Sequence, residues 1–328
     1  MRVSVLIILL CLLLASTGCL GKSGSFSVGL TAEEAAVQQS ESAAADALDK
    51  AMQLYHDGEF LEPDAAFEYL NEAVELDPTL VVARYQRAVL YLDRQQIDDA
   101  LADVNAILEV RPDYAKALYV RALIMMHKKD YPGAVRDFSR VIEDDNTIAD
   151  AYARRGTCYA NQDRFKDAIN DFSRALAINP AHVKANYNRG MAYMALGDYE
   201  SAVHDLTQAV TLDSQSYDII MARAAAYMKL ARYDRAEADF RRAIVLEPSR
   251  SGLYALLGET LAGTGDIKGA IQAVKTALIL SRAEDNPKAV VLYQEQLDEY
   301  LTKPASIPAP AAPAAPAPVS ESAPDVGK

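Results

Sequence analysis

The chain has 328 residues, 51% of them hydrophobic and 24% charged, with no tryptophan and a formal net charge of −13. That length exceeds what one compact core fills comfortably, so two domains or a quasi-linear array is expected, and the alanine-rich composition points to close-packed helices. The excess of acid argues against nucleic acid as a partner and against broad attraction to anionic lipid headgroups, both of which recruit clustered Lys and Arg.

In chain order, Met1-Arg2 precedes an uninterrupted apolar run from Val3 to Ala15 and then Ser16-Thr17-Gly18-Cys19. This charge, apolar, small layout reads as a secretory signal over residues 1–18, too short to span a membrane comfortably. Gly18 followed by Cys19 resembles a bacterial lipoprotein signal, which implies Cys19 as the lipidation site and a membrane anchored through an N-terminal lipid. Ser16 stands where that family usually has Leu, so ordinary cleavage of a secretory signal is the alternative. Leu20 after the cysteine, rather than Asp, implies the outer membrane facing the periplasm in a Gram-negative host. Residues 19–30, rich in Gly and Ser, read as a tether. Thr31-Ala32-Glu33-Glu34 then has the pattern of a capped helix start. Of the three cysteines, Cys158 alone lies in the body, where it reads as a small buried helix residue rather than part of a disulfide framework.

Aligned on itself at a spacing of 34, the body shows one invariant column: Ala100, Ala134, Ala168, Ala202, Ala236 and Ala270. Twelve residues earlier, Ala88, Ala122, Gly156, Gly190, Ala224 and Gly258 are also small. Small residues at two matched points let two antiparallel helices approach closely. Large residues surround them, with Tyr91, Met125, Tyr159, Tyr193, Tyr227 and Leu261 in one column and Val104, Phe138, Phe172, Leu206, Phe240 and Val274 in another. Apolar positions three and four apart share a helical face, so each unit is two amphipathic helices joined by a short turn such as Gly197-Asp198-Tyr199. Pro78, Pro112, Pro180 and Pro248 end second helices, while Asn146, Ser214 and Arg282 break that column and predict looser or differently capped junctions.

The period and these columns resemble the tetratricopeptide repeat. The resemblance implies an all-α, right-handed superhelical solenoid of about seven helix-turn-helix repeats over residues 31–302. Regular repeats are expected at 81–114, 115–148, 149–182, 183–216, 217–250 and 251–284. An irregular one precedes them at about 44–80, where Gly58, Ala66, Ala73 and Pro78 fit if roughly three residues are inserted after Phe60. Residues 287–302 read as a capping helix that covers the last apolar face. Residues 303–328, dominated by Pro and Ala, read as an extended disordered tail.

Two polar columns run through the same frame. Arg87, Arg121, Arg155, Arg189 and Arg223 precede the small residue, and Asp103, Asp137, Asp171, Asp205 and Asp239 precede the large residue of the second helix; both columns lapse together at Leu257 and Ala273. Each Arg is expected to pair with the Asp of its own repeat. The four histidines, His56, His127, His182 and His204, fall in different repeats without metal-ligand spacing, and neither a Walker-type loop nor a Gly-x-Ser-x-Gly elbow occurs. No catalytic residue, cofactor, metal or small-molecule substrate is therefore expected.

In tetratricopeptide-repeat proteins the first helix of each repeat lines a concave groove that holds the partner. Carrying those positions over gives Tyr85, Tyr119 and Tyr187 at one level and Met126, Met194 and Met228 at another, with Arg154, Asn188, Met191 and Met221 between them. The competing reading is that these side chains pack the seams between repeats. Lys184 and Asn188 occupy two positions of a terminal-carboxylate clamp, but Asp218 and Ala222 stand where Lys and Arg would complete it. The expected function is a non-catalytic scaffold binding a helix or extended protein segment, similar to lipoproteins that assemble pilus, secretion or export machinery. The alternative is a regulatory or structural module for a cell-wall enzyme.

Overall fold

The computed structural model describes residues 31–302; the signal, Cys19, the tether and the tail of residues 303–328 lie outside the described residues. The chain divides into two compact units, the first running to Arg87 and the second from Ala88. The described residues form fifteen α-helices and one two-stranded ribbon.

In the first unit, α1 (Ala32–Gln53) is held at its start by a reciprocal cap in which Glu34 donates its N–H to Thr31 Oγ1 at 3.2 Å and the Glu34 carboxylate accepts from Thr31 N at 2.8 Å. Its buried face is Ala44, Ala47 and Ala51, which packs against α2 (Pro63–Leu76). The connection to α2 is an antiparallel ribbon of β1 (Tyr55–His56) and β2 (Glu59–Phe60), turned by Asp57 and Gly58 at φ 50° and 96°. Gly58 stands in the turn, where the mirror-image two-residue turn needs left-handed backbone. The Tyr55 and Phe60 rings meet edge-on at 4.9 Å and close the ribbon.

The division between units falls within α3 (Val81–Asp93). The second unit continues with α4 (Ile97–Val110), α5 (Ala115–His127), α6 (Tyr131–Asp144), α7 (Ala149–Ala160) and α8 (Phe165–Ile178). After these come α9 (Val183–Leu196), α10 (Tyr199–Leu212), α11 (Tyr217–Lys229), α12 (Tyr233–Leu246), α13 (Ser251–Thr264) and α14 (Ile267–Ala283). The last element is α15 (Pro287–Thr302). From α5 onward each first helix packs on its own second helix, and each second helix packs on the next first helix, ending with α14 on α15. First helices also touch each other, α7 with α9, α9 with α11 and α13 with α15, so they form one layer.

The small-residue columns meet where the two helices of a pair cross. A Cβ added at Gly156 would stand 2.9 Å from Phe172 and 3.2 Å from the Ala168 carbonyl oxygen; at Gly190 it would stand 2.8 Å from Leu206, and at Gly258 2.6 Å from Val274. Phe138, Phe172, Leu206 and Phe240 are essentially fully buried against this crossing. The turn within each pair repeats as faithfully. Gln95, Lys129, Asp163, Gly197, Ala231 and Gly265, spaced 34 apart, all have positive φ. The residue after each donates its N–H to the carbonyl of Tyr91, Met125, Tyr159, Tyr193, Tyr227 or Leu261, at 2.8–3.0 Å. This closing bond absorbs an otherwise orphaned carbonyl, so the left-handed residue is kept even where it is not glycine.

At the junctions, α6 and α10 end in the same register as their neighbours although Pro is missing. Asp145 Oδ1 accepts from Thr147 N at 2.8 Å and Asp213 Oδ1 accepts from Ser216 N at 3.2 Å, and since Asp77 and Asn179 accept in the same way from Thr79 N at 2.8 Å and Ala181 N at 3.1 Å beside Pro78 and Pro180, the side-chain turn holds the junction with or without proline. Arg282 is the exception: α14 runs through it to Ala283.

The Arg–Asp pairs expected from the sequence are formed in the repeats from 115 to 250. Arg189 Nε and Nη2 donate to the two Asp205 oxygens at 2.6 and 2.8 Å, and Arg121, Arg155 and Arg223 grip Asp137, Asp171 and Asp239 in the same two-pronged way. Those hydrogen bonds hold the four guanidinium groups above the ordinary arginine value. The third donor of Arg155 and Arg189 reaches back to Ser139 and Ser173 of the preceding second helix at 3.0 Å, tying neighbouring repeats together.

Two substitutions test these contacts. Ala202→Leu should force the α9–α10 crossing apart and destabilise the protein by about 1–3 kcal/mol or more; an unchanged urea midpoint would refute the close approach. Asp205→Ala strands the Arg189 guanidinium, whose partner is 2% exposed, and should cost about 2 kcal/mol or more. The double variant Arg189→Met/Asp205→Leu should recover part of that loss, since no unpaired charge remains; strictly additive losses would show that the two groups do not interact.

Candidate functional site

The first-helix layer of the second unit holds nine of the ten expected groove residues. Tyr85, on α3, belongs to the first unit, where it is partly buried. Tyr119 lies on α5 and Arg154 on α7, and the structure brings them together through a residue the sequence reading did not select. Asp150 Oδ2 accepts from the Tyr119 hydroxyl and from Arg154 Nε, the latter at 2.6 Å, while Arg154 Nε also reaches Tyr119 Oη at 2.8 Å. His182, which caps α9 by accepting from Ala185 N at 3.2 Å, places its Nε2 3.6 Å from Asp150 Oδ1. Arg154 is therefore a bonded member of a four-residue cluster rather than a free cation awaiting a ligand.

Burial, then the hydrogen bond to Asp150, push the Tyr119 phenol up to about 12. Burial acts to raise the Asp150 carboxyl, but the bonds from Tyr119 and Arg154, with the charges of Arg154 and His182, outweigh it and hold it below the ordinary aspartate value. The remaining thiol of the body, Cys158, is buried on α7 and raised to about 12 by that burial, which leaves it little thiolate character at neutral pH.

Further along the layer, Asn188 Nδ2 donates to Thr157 Oγ1 across the α7–α9 seam at 3.2 Å. Tyr187 packs on two buried clusters, one around Leu206 and one around Ile220, and Met194 packs on the first of them. Met221 and Met228 pack on the cluster around Phe240, and Thr260 Oγ1 lies 3.2 Å from Met228 Sδ. Met126 is partly buried, and Met191 is 40% exposed. Tyr187, Met194, Met221 and Met228 thus pack the seams between repeats, each with part of its surface left uncovered.

Between α9 and α11 lies an open cleft of about 460 Å³, with Val183, Tyr187 and Ile219 as its apolar wall and Lys184, Asp213 and Asp218 at its polar edge. The two aspartates beside Lys184 and Asn188 make this a poor seat for a terminal carboxylate, since like charges repel. A second cleft, of about 530 Å³, opens between α13 and α15. Its α13 residues Gly252, Ala255, Leu256 and Glu259 continue, at a spacing of 34, the column positions of Asp218, Met221, Ala222 and Ala225, a signal present in the sequence but not followed into the last repeat. Among the described residues no helix is long and apolar enough to cross a membrane, and no group of three or more His, Cys, Asp or Glu is placed to hold a metal ion.

The lowered Asp150 carboxyl stabilises the fold fully above its unfolded value, and that contribution is lost as pH falls through the folded value. The stability gap between the wild type and Asp150→Asn should therefore be constant above about pH 5 and narrow as pH falls below the ordinary aspartate value. Urea melts across that range check it, and a gap unchanged in acid would show that Asp150 is not held ionised by Tyr119 and Arg154.

Two family models, both described as tetratricopeptide repeat, match the chain, one over residues 156–226 and the other over residues 85–151 and 221–287. No curated protein matches by sequence. Among solved structures, the fold is similar to a tetratricopeptide repeat protein from Parabacteroides merdae, at TM-score 0.51 and 17% identity over 82% of this chain and 100% of that one. It is similar to Pseudomonas aeruginosa pilF at TM-score 0.55 and 16% identity, over 66% of this chain and 97% of the other. At such identities the likeness is one of fold. Tetratricopeptide-repeat proteins are protein-interaction scaffolds, and no catalytic family is indicated. With its helix pairs in unbroken 34-residue register and the two models together spanning more than half its length, the chain belongs to the tetratricopeptide-repeat family.

Proposed function

We propose that the chain is an exported, lipid-anchored scaffold whose first-helix layer holds a helical or extended segment of a partner protein during assembly of envelope machinery such as a pilus, secretion or export apparatus. The observation that carries this reading is the α9–α11 cleft, where the half-buried Tyr187 forms part of an apolar wall beside fixed charges. Exposed Met191 and partly buried Met194 and Met221 lie on the same two helices. Unbranched, polarisable methionine side chains adapt to different apolar partners, and a tyrosine rooted in the core loses little freedom when a partner covers it. Export and anchoring rest on the apolar leader and Gly18-Cys19. With Cys19 acylated, the Gly/Ser tether gives the layer reach from the membrane surface.

Cys19→Ala should move the protein from membranes into the soluble exported fraction, as read by fractionation; unchanged partition would show that the lipid at Cys19 is not the anchor. For the cleft, truncating Tyr119 or Tyr187 would disturb seams as well as binding, so surface positions are the better probes. Met191→Glu with Lys184→Glu should leave the melting temperature within about 2 °C. The same variant should weaken retention of partners from detergent extracts of the host envelope by about tenfold. Equal retention by this variant and the wild type would place the binding face elsewhere.

A further inference from the structure

We infer that the cleft between α13 and the capping helix α15 is an anchoring subsite for a lysine- or arginine-bearing apolar segment of the partner protein. This deepens the scaffold reading above and rests on it. The cleft is about 530 Å³, with Ala255, Leu256 and Tyr293 as its floor and Leu292, 60% exposed, as one wall. Glu259 from α13 and Glu295 and Glu299 from α15 stand around it, and among the described residues no Lys or Arg lines it. The α9–α11 cleft, by contrast, sets Lys184 against its aspartates. An apolar floor ringed by one sign of charge selects a segment that buries aliphatic or aromatic groups while presenting cations to the rim.

The cleft is also built to stay open. Gly156, Gly190 and Gly258 are required by packing, but a Cβ at Gly252 would meet only the Tyr293 hydroxyl oxygen at 3.5 Å, an ordinary contact. Nothing in the helix pair demands glycine there, whereas a larger side chain would enter the cleft that Gly252 lines. The two helices are fixed in place around it. Gln296 Nε2 on α15 donates to the Ala255 carbonyl on α13 at 3.2 Å and to Tyr300 Oη at 3.1 Å, while Ser251 N and Oγ at the start of α13 donate to the carboxylate of Glu284, the residue that caps α14 ahead of α15, at 2.9 and 2.7 Å. A preformed cleft spares the ordering cost that weakens binding to mobile surfaces.

The test uses the detergent-solubilised full chain and three fluorescent amphipathic peptides of one length, built from Lys and Leu, Glu and Leu, or Lys and Ser. Anisotropy titrations should show the Lys/Leu peptide binding tightest, with affinity falling as salt rises. Glu259→Gln/Glu295→Gln should weaken that peptide about tenfold, and Gly252→Phe should block it, while Gly252→Ala and the remote pair Glu109→Gln/Glu143→Gln leave it unchanged. Equal binding of the Lys/Ser peptide would reduce the effect to general attraction by an acidic chain. Equal binding of the Glu/Leu peptide, or indifference to the cleft variants, would overturn the proposal outright. The two readings separate in envelope extracts. Capture lost with Met191→Glu/Lys184→Glu but intact in the α13–α15 variants rejects this subsite and keeps the α9–α11 cleft, whereas capture intact in both sets overturns both clefts and places the binding face elsewhere.

Discussion

The arrangement of the second unit depends on one close contact, the crossing of two antiparallel helices at a residue too small to hold them apart. At Gly156, Gly190 and Gly258 even a methyl group would come within 3.0 Å of a side chain of the facing helix. The carbonyl of the invariant alanine lies on the other side of that contact, and a large buried residue one turn on closes it. Because the crossing recurs every 34 residues, successive pairs adopt the same geometry and their first helices fall into one layer. The left-handed residue in each turn, glycine or not, follows from the same constraint: two helices this close leave room only for the short turn that a positive φ permits.

The Arg–Asp pairs sit on this frame and decide where charge is available. Each guanidinium is spent on an aspartate of its own second helix, and Arg155 and Arg189 also reach a serine of the previous one, so these columns stiffen the stack and offer little to a ligand. Arg154, one position earlier than Arg155, faces the layer but is bonded to Asp150 and Tyr119. Charge along the first-helix layer is therefore local. It is mixed around Lys184 and Asp218, and acidic between α13 and α15. A partner that spanned both clefts would be read by a different charge pattern at each.

Seam and surface cannot be separated at the tyrosine and methionine positions of the layer. Tyr187 touches buried clusters of two neighbouring repeats and also lines a cleft, so its position is set by packing before any partner arrives. Rigid placement of an amphipathic ring lowers the ordering cost of binding. Methionines at Met194, Met221 and Met228 do the opposite service, because their flexible thioethers fill an irregular seam and can resettle against a new surface.

Much of this was legible in the sequence because a repeat writes the same physics several times. Spacing alone located the crossing, the helix pairs and the Arg–Asp partners, since a pairing that recurs with a separation of 16 residues in consecutive units has few other geometries open to it. What spacing could not locate was anything that happens once. The ribbon at Tyr55–Phe60 has no counterpart in the other described repeats, so no column of the period announces it. Asp150 and His182 lie 32 residues apart and join Tyr119 and Arg154 only because α7 and the cap of α9 stand side by side. The α13–α15 cleft lies between the last first helix and the capping helix, whose residues fall outside the repeat columns. Local helix propensity, turn chemistry and the 34-residue hydrophobic pattern were determined by the sequence itself. Which polar side chains meet across a seam, and where the layer stays open, was decided by the tertiary structure, because those contacts depend on the distance between helix surfaces and not on any spacing along the chain.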